Sequence, residues 1–276
     1  MTRQLKGGNQ LDSAVFQHFR PEERPFIERI NDWRNQAMNE YRPILTNFLD
    51  PRQIFLIETV VGKVDDSFRY WQDGGYNQSE RRRVIFAPGY FTPESQDYHI
   101  QLFEIKYPVK FATLSHGRIL GTLINSGVDR SQFGDIITDG ETWQFFGVES
   151  MASFFEEQIV KIGSINVRVE PVPILDAVKP VVDWQEESIV ATSMRLDTII
   201  SETFNISRQR AKELVEDQRV QVNWSVNQHP DFQVDLLDML SVRKFGRVQV
   251  LDVLGRTRKE RYKLKIATLR RQPLSY

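Results

Sequence analysis

The sequence predicts an α+β fold in several parts, on the basis of three observations. Residues 100–169 alternate strand-like and helix-like segments in the order β-α-β-β-α-β. Residues 194–250 combine two short amphipathic helices with short strands. Between these regions, residues 171–188 are rich first in proline and then in acidic residues, which is typical of a domain boundary. We therefore predict an N-terminal α+β domain (1–95), a middle domain (96–172), a linker (173–192) and a C-terminal domain (193–276).

The N-terminal domain follows a polar, loose stretch over residues 1–15. Apolar residues then recur at helical spacing between about 22 and 40. Asp50 and Pro51 begin a second helix, because aspartate caps a helix and proline suits its first position. Gly62 ends that helix. Strands are predicted at 67–71 and 81–87, around a turn at Gly74-Gly75.

The middle domain has the element order of a ferredoxin-like fold, which RNA-recognition modules share. The predicted strands are 100–105, 133–138, 142–148 and 165–169, and the predicted helices are 115–126 and 150–163. Trp143, Phe145 and Phe146 lie on the third strand, where such modules expose rings for base stacking. Trp143 and Phe145 face one side of the sheet and Phe146 the other. We favour core packing for these rings, with base stacking as the alternative.

The C-terminal domain begins with a helix over residues 196–204, and Ser207 caps a second helix that starts at Arg208. Arg208 and Arg210 lie in its first turn. Cations near the positive end of a helix dipole are destabilising by roughly 0.3–1 kcal/mol each. A phosphate bound there would offset this cost, because free N–H groups and guanidinium groups both bind anions. The alternative is a solvated helix face.

Several segments of this domain resemble the RNA-binding domain named after ribosomal protein S-four. They are Arg195-Leu196-Asp197, Ile206-Ser207-Arg208, residues 211–214, 220–223 and 238–247. Gln218, Trp224 and Leu237 occupy places where that family usually has glycine, which reaches positive φ at low cost. The resemblance implies RNA binding by polar and cationic side chains on these elements. The predicted RNA-binding residues are Arg195, Ser207, Arg208, Gln209, Arg210, Lys212, Arg219, Arg243, Lys244 and Arg247.

The charge is distributed unevenly along the chain, whose formal net charge is −1. Residues 193–276 carry 16 Lys+Arg against 10 Asp+Glu, whereas residues 1–192 carry 20 against 27. A basic domain joined to an acidic body indicates that the basic part meets a polyanion. Near its end, cations alternate with Tyr262, Leu264 and Ile266, which predicts a strand with one basic face. That face could contact RNA or simply protect a sheet edge.

Catalytic and metal chemistry is not indicated by any motif. There is no cysteine, so disulfides and thiolate metal sites are excluded. The four histidines lie in separate segments, and no phosphate-binding glycine loop is present. We predict that Asp197 pairs with a nearby cation and does not act as a nucleophile. We expect no catalytic residue, no metal and no cofactor, no signal peptide or membrane span, and hence a cytoplasmic protein.

Nearly the whole chain resembles the YlmH family of bacterial proteins. The segments that carry this resemblance are residues 16–24, Leu49-Asp50-Pro51-Arg52, Gly134-Asp135-Ile136 and Lys161-Ile162-Gly163. It implies a non-catalytic factor that binds ribosomal RNA and tRNA on the large ribosomal subunit, in ribosome-associated quality control of stalled nascent chains. It also implies a genetic link to cell division. The alternatives are an RNA-modifying enzyme that uses its N-terminal domains and a scaffold for division proteins.

Overall fold

The computed structural model describes residues 23–270 except 63–65, 181–183 and 237. The predicted loose stretch 1–15 and most of the motif at 16–24 lie outside the described residues. The chain forms two compact units, Met1–Lys179 and Pro180–Tyr276. Both mix helices and strands, so the predicted α+β class is confirmed.

The first part of unit one is a three-stranded sheet covered by two helices. Its elements are α1 (Arg24–Asn39), β1 (Ile44–Leu45), α2 (Pro51–Val61), β2 (Phe68–Asp73) and β3 (Arg83–Pro88). The strands are antiparallel in the order β1-β3-β2. As predicted, Asp50 caps α2: its carboxylate accepts from Gln53 N at 2.8 Å, and the Gln53 side chain accepts from Asp50 N at 2.9 Å. Gly62 ends α2 at φ +64°.

The second part of unit one is a four-stranded antiparallel sheet with two helices. Its elements are β4 (Ile100–Lys106), α3 (His116–Asn125), β5 (Phe133–Thr138), β6 (Trp143–Val148), α4 (Ala152–Gln158), β7 (Lys161–Ile162), β8 (Ile165–Asn166) and β9 (Arg168–Val172). The strand order β5-β6-β4-β9 confirms the predicted ferredoxin-like topology. Phe103, Phe145 and Phe155 pack together between the sheet and the helices, with ring centroids 5.1–5.2 Å apart.

The opposite face of this sheet is covered by the first part of the same unit. Phe146 is fully buried there, and the ring of Tyr76 stacks on it with centroids 5.1 Å apart and planes 12° apart. Phe48 and Ile85 belong to the same buried cluster. Core packing of Phe145 and Phe146 is therefore confirmed, and Trp143 packs at the edge of the helix-side core. The face that RNA-recognition modules use for base stacking is closed in this chain.

Two predictions for the middle domain were wrong in their boundaries. The helix predicted over 150–163 ends at Gln158, and Lys161–Ile162 instead pairs with Ile165–Asn166 around Gly163 at φ +61°. Adjacent β-branched residues and a glycine that reaches positive φ favour this hairpin over another helical turn. The last strand is β9, which continues through Pro171 because it lies at the sheet edge, where a missing N–H is tolerated.

Unit two packs two helices on a six-stranded antiparallel sheet. Its elements are β10 (Gln185–Ala191), α5 (Leu196–Phe204), α6 (Arg208–Glu216), β11 (Val220–Val222), β12 (Ser225–Val226), β13 (Met239–Val242), β14 (Gly246–Arg256) and β15 (Tyr262–Arg270). The strand order is β10-β15-β14-β13-β11-β12. The inward face of α5 and the buried positions of β13, β14 and β15 form one apolar core. The predicted inward positions Tyr262, Leu264 and Ile266 all belong to it.

The predicted linker 173–192 contains a strand that its composition concealed. Residues 185–191 form β10, which pairs with β15 from Gln185↔Thr268 to Ala191↔Tyr262. The carboxylate of Glu186 lies 2.7 Å from Nζ of Lys265 across the two strands. The acidic residues thus face a basic strand, and this cross-strand attraction between distant segments is invisible to a local pattern.

Two of the three positions that lack the family's glycine adopt glycine-like backbone angles. Gln218 lies at φ +59° between α6 and β11. Asn223 and Trp224, at φ +46° and +65°, form the two-residue turn between β11 and β12, as a type I′ hairpin requires. Leu237 lies outside the described residues. Phe245 lies in the turn between β13 and β14.

Candidate nucleic-acid interface

The corner between α5 and α6 is built by two local signals. Asn205 ends α5 in the left-handed region at φ +50°. Ser207 then caps α6, and its hydroxyl accepts from Arg210 N at 3.1 Å, as predicted. Arg208 is therefore the first residue of α6, and Arg210 completes the first helical turn. Both residues belong to the first turn of α6, at the positive end of the helix dipole, where an anion would be stabilised.

Asp197 links the two helices through two arginines. Its buried carboxylate accepts from Arg195 at 3.0 and 3.1 Å and from Nε of Arg208 at 3.2 Å. Burial acts to raise the pKa of this carboxyl, whereas the hydrogen bonds and charges of Arg195 and Arg208 act to lower it. The lowering is the larger effect in sum, so the pKa of Asp197 lies below its usual value. The Asp197 side chain is 4% exposed and that of Arg208 is 55% exposed. Asp197 therefore orients Arg208 from inside, and the guanidinium remains open to solvent.

The remaining cations of α6 form exposed ion pairs. Nη1 of Arg210 lies 2.9 Å from Glu213, and Nζ of Lys212 lies 3.6 Å from Glu216. Sequence reasoning missed both carboxylates, although their spacing of three and four residues along a helix is a usable signal. Arg219 lies 3.8 Å from Asp217. Gln209 is exposed and lies 3.5 Å from Glu213.

These exposed pairs are weak enough to leave the cations available to a phosphate. Ion pairs in solvent contribute only about 0–1 kcal/mol each, because side-chain entropy and hydration oppose them. A backbone phosphodiester carries one negative charge on two non-bridging oxygens, so it can accept the same bidentate hydrogen bonds as a surface carboxylate and can replace it. The pairs therefore keep the side chains ordered without blocking the surface.

The turn between β13 and β14 holds a second group of cations, next to Arg219 and to the end of α5. Arg243 N donates to the carbonyl oxygen of Arg219 at 2.9 Å, which fixes these two residues as neighbours. The ring of Phe245 lies 5.5 Å from that of Phe204, the last residue of α5. The turn is therefore packed against the end of α5 that leads into Ser207. Arg243 and Lys244 are exposed and, among the described residues, have no carboxylate within 4 Å.

The predicted site residues thus occupy two groups connected by short contacts. Arg195, Arg208 and Asp197 form one hydrogen-bonded set, and Arg219 adjoins Arg243 in the other. Arg247 is partly buried on β14, opposite Ser241 of β13. The described residues of these two groups give this side of the domain a cationic surface. Within the described ranges, no cluster of three or more His, Asp or Glu side chains could hold a metal ion.

Three family profiles together match most of the chain. The profile described as "YlmH, N-terminal" matches residues 22–91, "Putative RNA-binding domain in YlmH" matches 93–176, and the "S4 domain" profile matches 194–240. The ribosome-associated protein quality control protein P2 of Bacillus subtilis (strain 168) is 35% identical over 252 residues, which covers 91% of this chain and 97% of that protein. The chain belongs to the YlmH family. Its C-terminal domain is an S4 domain.

A solved structure extends the YlmH comparison. The cell division protein ylmH from Streptococcus pneumoniae is 36% identical in sequence, and the two structures superpose with a TM-score of 0.51. The match covers 59% of this chain and 98% of the Streptococcus pneumoniae chain. The S4 match ends at residue 240, so the long strands β14 and β15 lie beyond it. Among the described helices of this YlmH chain, none is long and apolar enough to cross a membrane.

Proposed function

We propose that this chain is a non-catalytic RNA-binding factor that docks on ribosomal RNA and tRNA of the large ribosomal subunit. Its S4 domain contacts the RNA backbone, and the chain acts in the cytoplasm in quality control of stalled nascent chains. The observation that carries this proposal is the joined cationic surface of the α5–α6 corner and the β13–β14 turn. Cations grouped at a helix N-terminus and in an adjacent turn suit phosphates.

The relative from Bacillus subtilis supports the ribosomal part of the proposal, because its name places it in ribosome-associated protein quality control. It matches this chain over nearly its full length, so the same set of domains is present in both proteins. Folded RNA is recognised mainly through its shape and backbone. The absence of an open stacking face in the middle domain agrees with that mode, since Phe146 is covered by Tyr76.

The position of Asp197 supports a non-catalytic role for the S4 domain. A carboxylate bound by two guanidinium groups is a weak nucleophile, because its lone pairs are engaged and its pKa is lowered. If the chain were instead an RNA-modifying enzyme, purified protein would alter the nucleosides of cellular RNA, as measured by mass spectrometry. We expect unaltered nucleosides.

The experiment that tests the proposal is sedimentation of the purified chain with ribosomal subunits through a sucrose gradient. We expect wild-type protein in the large-subunit fractions and Arg208→Ala/Arg210→Ala at the top of the gradient. Arg24→Ala/Arg29→Ala is the matched control, because it removes two exposed arginines from α1 and should sediment like wild type. Wild-type protein at the top of the gradient would overturn the proposal.

A role as a scaffold for division proteins is the second candidate, favoured by the name of the relative from Streptococcus pneumoniae. It predicts that the chain binds division proteins equally well when its S4 cations are replaced. The same double variant, tested by pull-down of division proteins and by sedimentation, therefore separates the two functions.

A further inference from the structure

The hairpin of β14 and β15 extends beyond the end of the neighbouring strand β13. β13 pairs with β14 only as far as Gln249, whereas β14 continues to Arg256. Every residue from Asp252 to Arg256 is exposed. The register shifts twice in this part, between Val250 and Asp252 and again before Gly255. Such irregularities bend a strand and increase its twist, so this end of the hairpin departs from the regular pairing of the rest of the sheet.

This end of the hairpin is strongly cationic. Six Lys and Arg residues lie between positions 256 and 265: Arg256, Arg258, Lys259, Arg261, Lys263 and Lys265. Arg256 pairs with Glu260 at 3.2 Å, and Lys265 pairs with Glu186 at 2.7 Å. The other four are exposed and, among the described residues, lie within 4 Å of no carboxylate. We call Arg256–Lys263 the basic hairpin.

Arg256 and Tyr262 stiffen the basic hairpin. The Arg256 guanidinium carbon lies 4.7 Å from the centroid of the Tyr262 ring, and Nη2 donates to the Tyr262 hydroxyl oxygen at 3.0 Å. The two residues are also opposite each other in the strand pairing. The guanidinium covers one face of the ring, and Tyr262 also packs against the core of the domain, so the ring is not an open platform for an unpaired base. The chemistry of this surface therefore favours phosphates over base stacking.

Protection of a sheet edge explains only part of this charge. Lysines and bulges both discourage edge-to-edge pairing. The free edge of β14 already has two register shifts and carries Asp252. The unpaired cations lie instead in the turn and on β15, whose other edge is occupied by β10. Their position is not the one that edge protection requires.

We propose that the basic hairpin is a second RNA contact that binds the phosphate backbone of a double-helical RNA element. It rests on the proposed function, since it adds a site to the same RNA-binding domain. β14 joins the two sites: Gly246 follows the Arg243-Lys244 turn, and Arg256 begins the basic hairpin. Ten residue steps at about 3.3 Å place them about 30 Å apart. Modules that recognise double-stranded RNA by shape likewise make several separate contacts along one duplex, over about 16 bp.

Fluorescence anisotropy with the full chain tests this proposal. The probe is a labelled RNA stem of about 16 bp, compared with a single strand of the same length, across about 50–300 mM KCl. The test variant is Arg258→Gln/Lys259→Gln/Arg261→Gln/Lys263→Gln. The control variant, Arg24→Gln/Arg29→Gln/Lys110→Gln/Arg118→Gln, removes four exposed cations from unit one. A third variant, Arg258→Lys/Arg261→Lys, keeps the charge.

We expect the test variant to bind the stem about tenfold or more weakly at 100 mM KCl. Its salt slope should fall by about 0.9 for each phosphate that is no longer bound, or about 2–4 in total. The control and the lysine variant should bind like wild type. Circular dichroism checks folding, and Leu264 and Ile266, which anchor β15, are unchanged. Should the quadruple variant fail to fold, Arg258→Gln/Lys259→Gln alters only the turn and should lower the slope by about half as much.

Three results would overturn the proposal. Wild-type affinity and slope in the test variant, with weaker binding by Arg208→Ala/Arg210→Ala, would reject the hairpin contact and leave the proposed function intact. Weakening confined to the single strand would reject the double-helical ligand. If the wild type binds the stem and neither the quadruple hairpin variant nor Arg208→Ala/Arg210→Ala binds it more weakly, both proposed RNA contacts are rejected.

Discussion

Asp197 and Arg208 lie eleven residues apart on successive helices and are joined by a 3.2 Å hydrogen bond. The acceptor is buried and the donor is half exposed, so the contact orients a solvent-facing cation from within the fold. The same carboxylate binds Arg195. One buried side chain thus determines where two arginines of the candidate interface point.

Replacement of Asp197 by asparagine should destabilise the S4 domain by about 1.5–3 kcal/mol at pH 7, because hydrogen bonds to a charged group are removed. The pKa of Asp197 is lower in the folded chain than in the unfolded chain. The stabilisation by its carboxylate is therefore fully present when the pH is above the unfolded-state pKa of about 3.9, and it is lost as the pH falls through the folded-state pKa. The difference from wild type should therefore shrink below pH 4. Hydrogen exchange of α5 amides between pH 7 and pH 3 measures it, after correction for the intrinsic exchange rate. Asp217→Asn, an exposed control, should stay within about 0.5 kcal/mol of wild type.

Replacement of Arg208 and Arg210 by alanine should weaken binding to an RNA stem and flatten its salt dependence. Each phosphate that is no longer neutralised lowers the slope of log affinity against log salt by about 0.7–0.9, so a decrease of about 1–2 is expected. The measurement is a salt titration by fluorescence anisotropy. Arg24→Ala/Arg29→Ala provides the control, and an unchanged slope in the S4 variant would show that these two arginines do not contact phosphate.

Substitution of Gly75 by alanine should destabilise unit one more than the same change at Gly140. Both glycines have positive φ, +92° and +105°, which costs an alanine about 1–3 kcal/mol. At Gly75 the new Cβ would also lie 2.4 Å from Phe146 Cδ1, whereas nothing lies within 4 Å at Gly140. We expect an additional destabilisation of about 1–3 kcal/mol at Gly75. Urea unfolding of the two variants measures it, and equal destabilisation would contradict the tight packing over Phe146.

Substitution of Gln218 by glycine should stabilise the S4 domain by about 0.5–1 kcal/mol. The residue is exposed and lies at φ +59°, where a side chain costs about 1–2 kcal/mol and glycine does not. Part of that gain is offset by the greater freedom of glycine in the unfolded chain. Hydrogen exchange of α6 amides provides the measurement. Gln218→Ala keeps the left-handed strain and should show no gain, so an equal gain in both variants would exclude backbone strain as the cause.

The parts of the fold that sequence predicts well are those governed by neighbouring residues. The caps at Asp50 and Ser207 follow from side chains that bond to backbone a few residues away, and both are present. The β-α-β-β-α-β order also follows from local periodicity. β10 was missed because its partner is β15, far along the chain. The closure of the second sheet face by Tyr76 was likewise not visible, since the stacking pair comes from separate segments.

In the candidate interface, too, the sequence predicted the local features and not the contacts between distant segments. The cations were predicted from residue type and position, and Asp197 was predicted to pair with a nearby cation, which proves to be Arg195 and Arg208. What the sequence left open is how the two cationic groups are connected, because that depends on Phe204 meeting Phe245 across the domain. Ring packing between a helix end and a strand turn leaves no periodic signature in a sequence.

The stacking of Tyr76 on Phe146 has a practical consequence for work with truncated proteins. The segment 93–176 has the outline of a self-contained module, but Tyr76, Phe48 and Ile85 lie outside those limits. Expressed by itself, that segment would expose the apolar face of its sheet to water. It would therefore self-associate or bind ligands that the intact chain excludes. Affinities measured on such a fragment would describe a surface that the whole protein does not display.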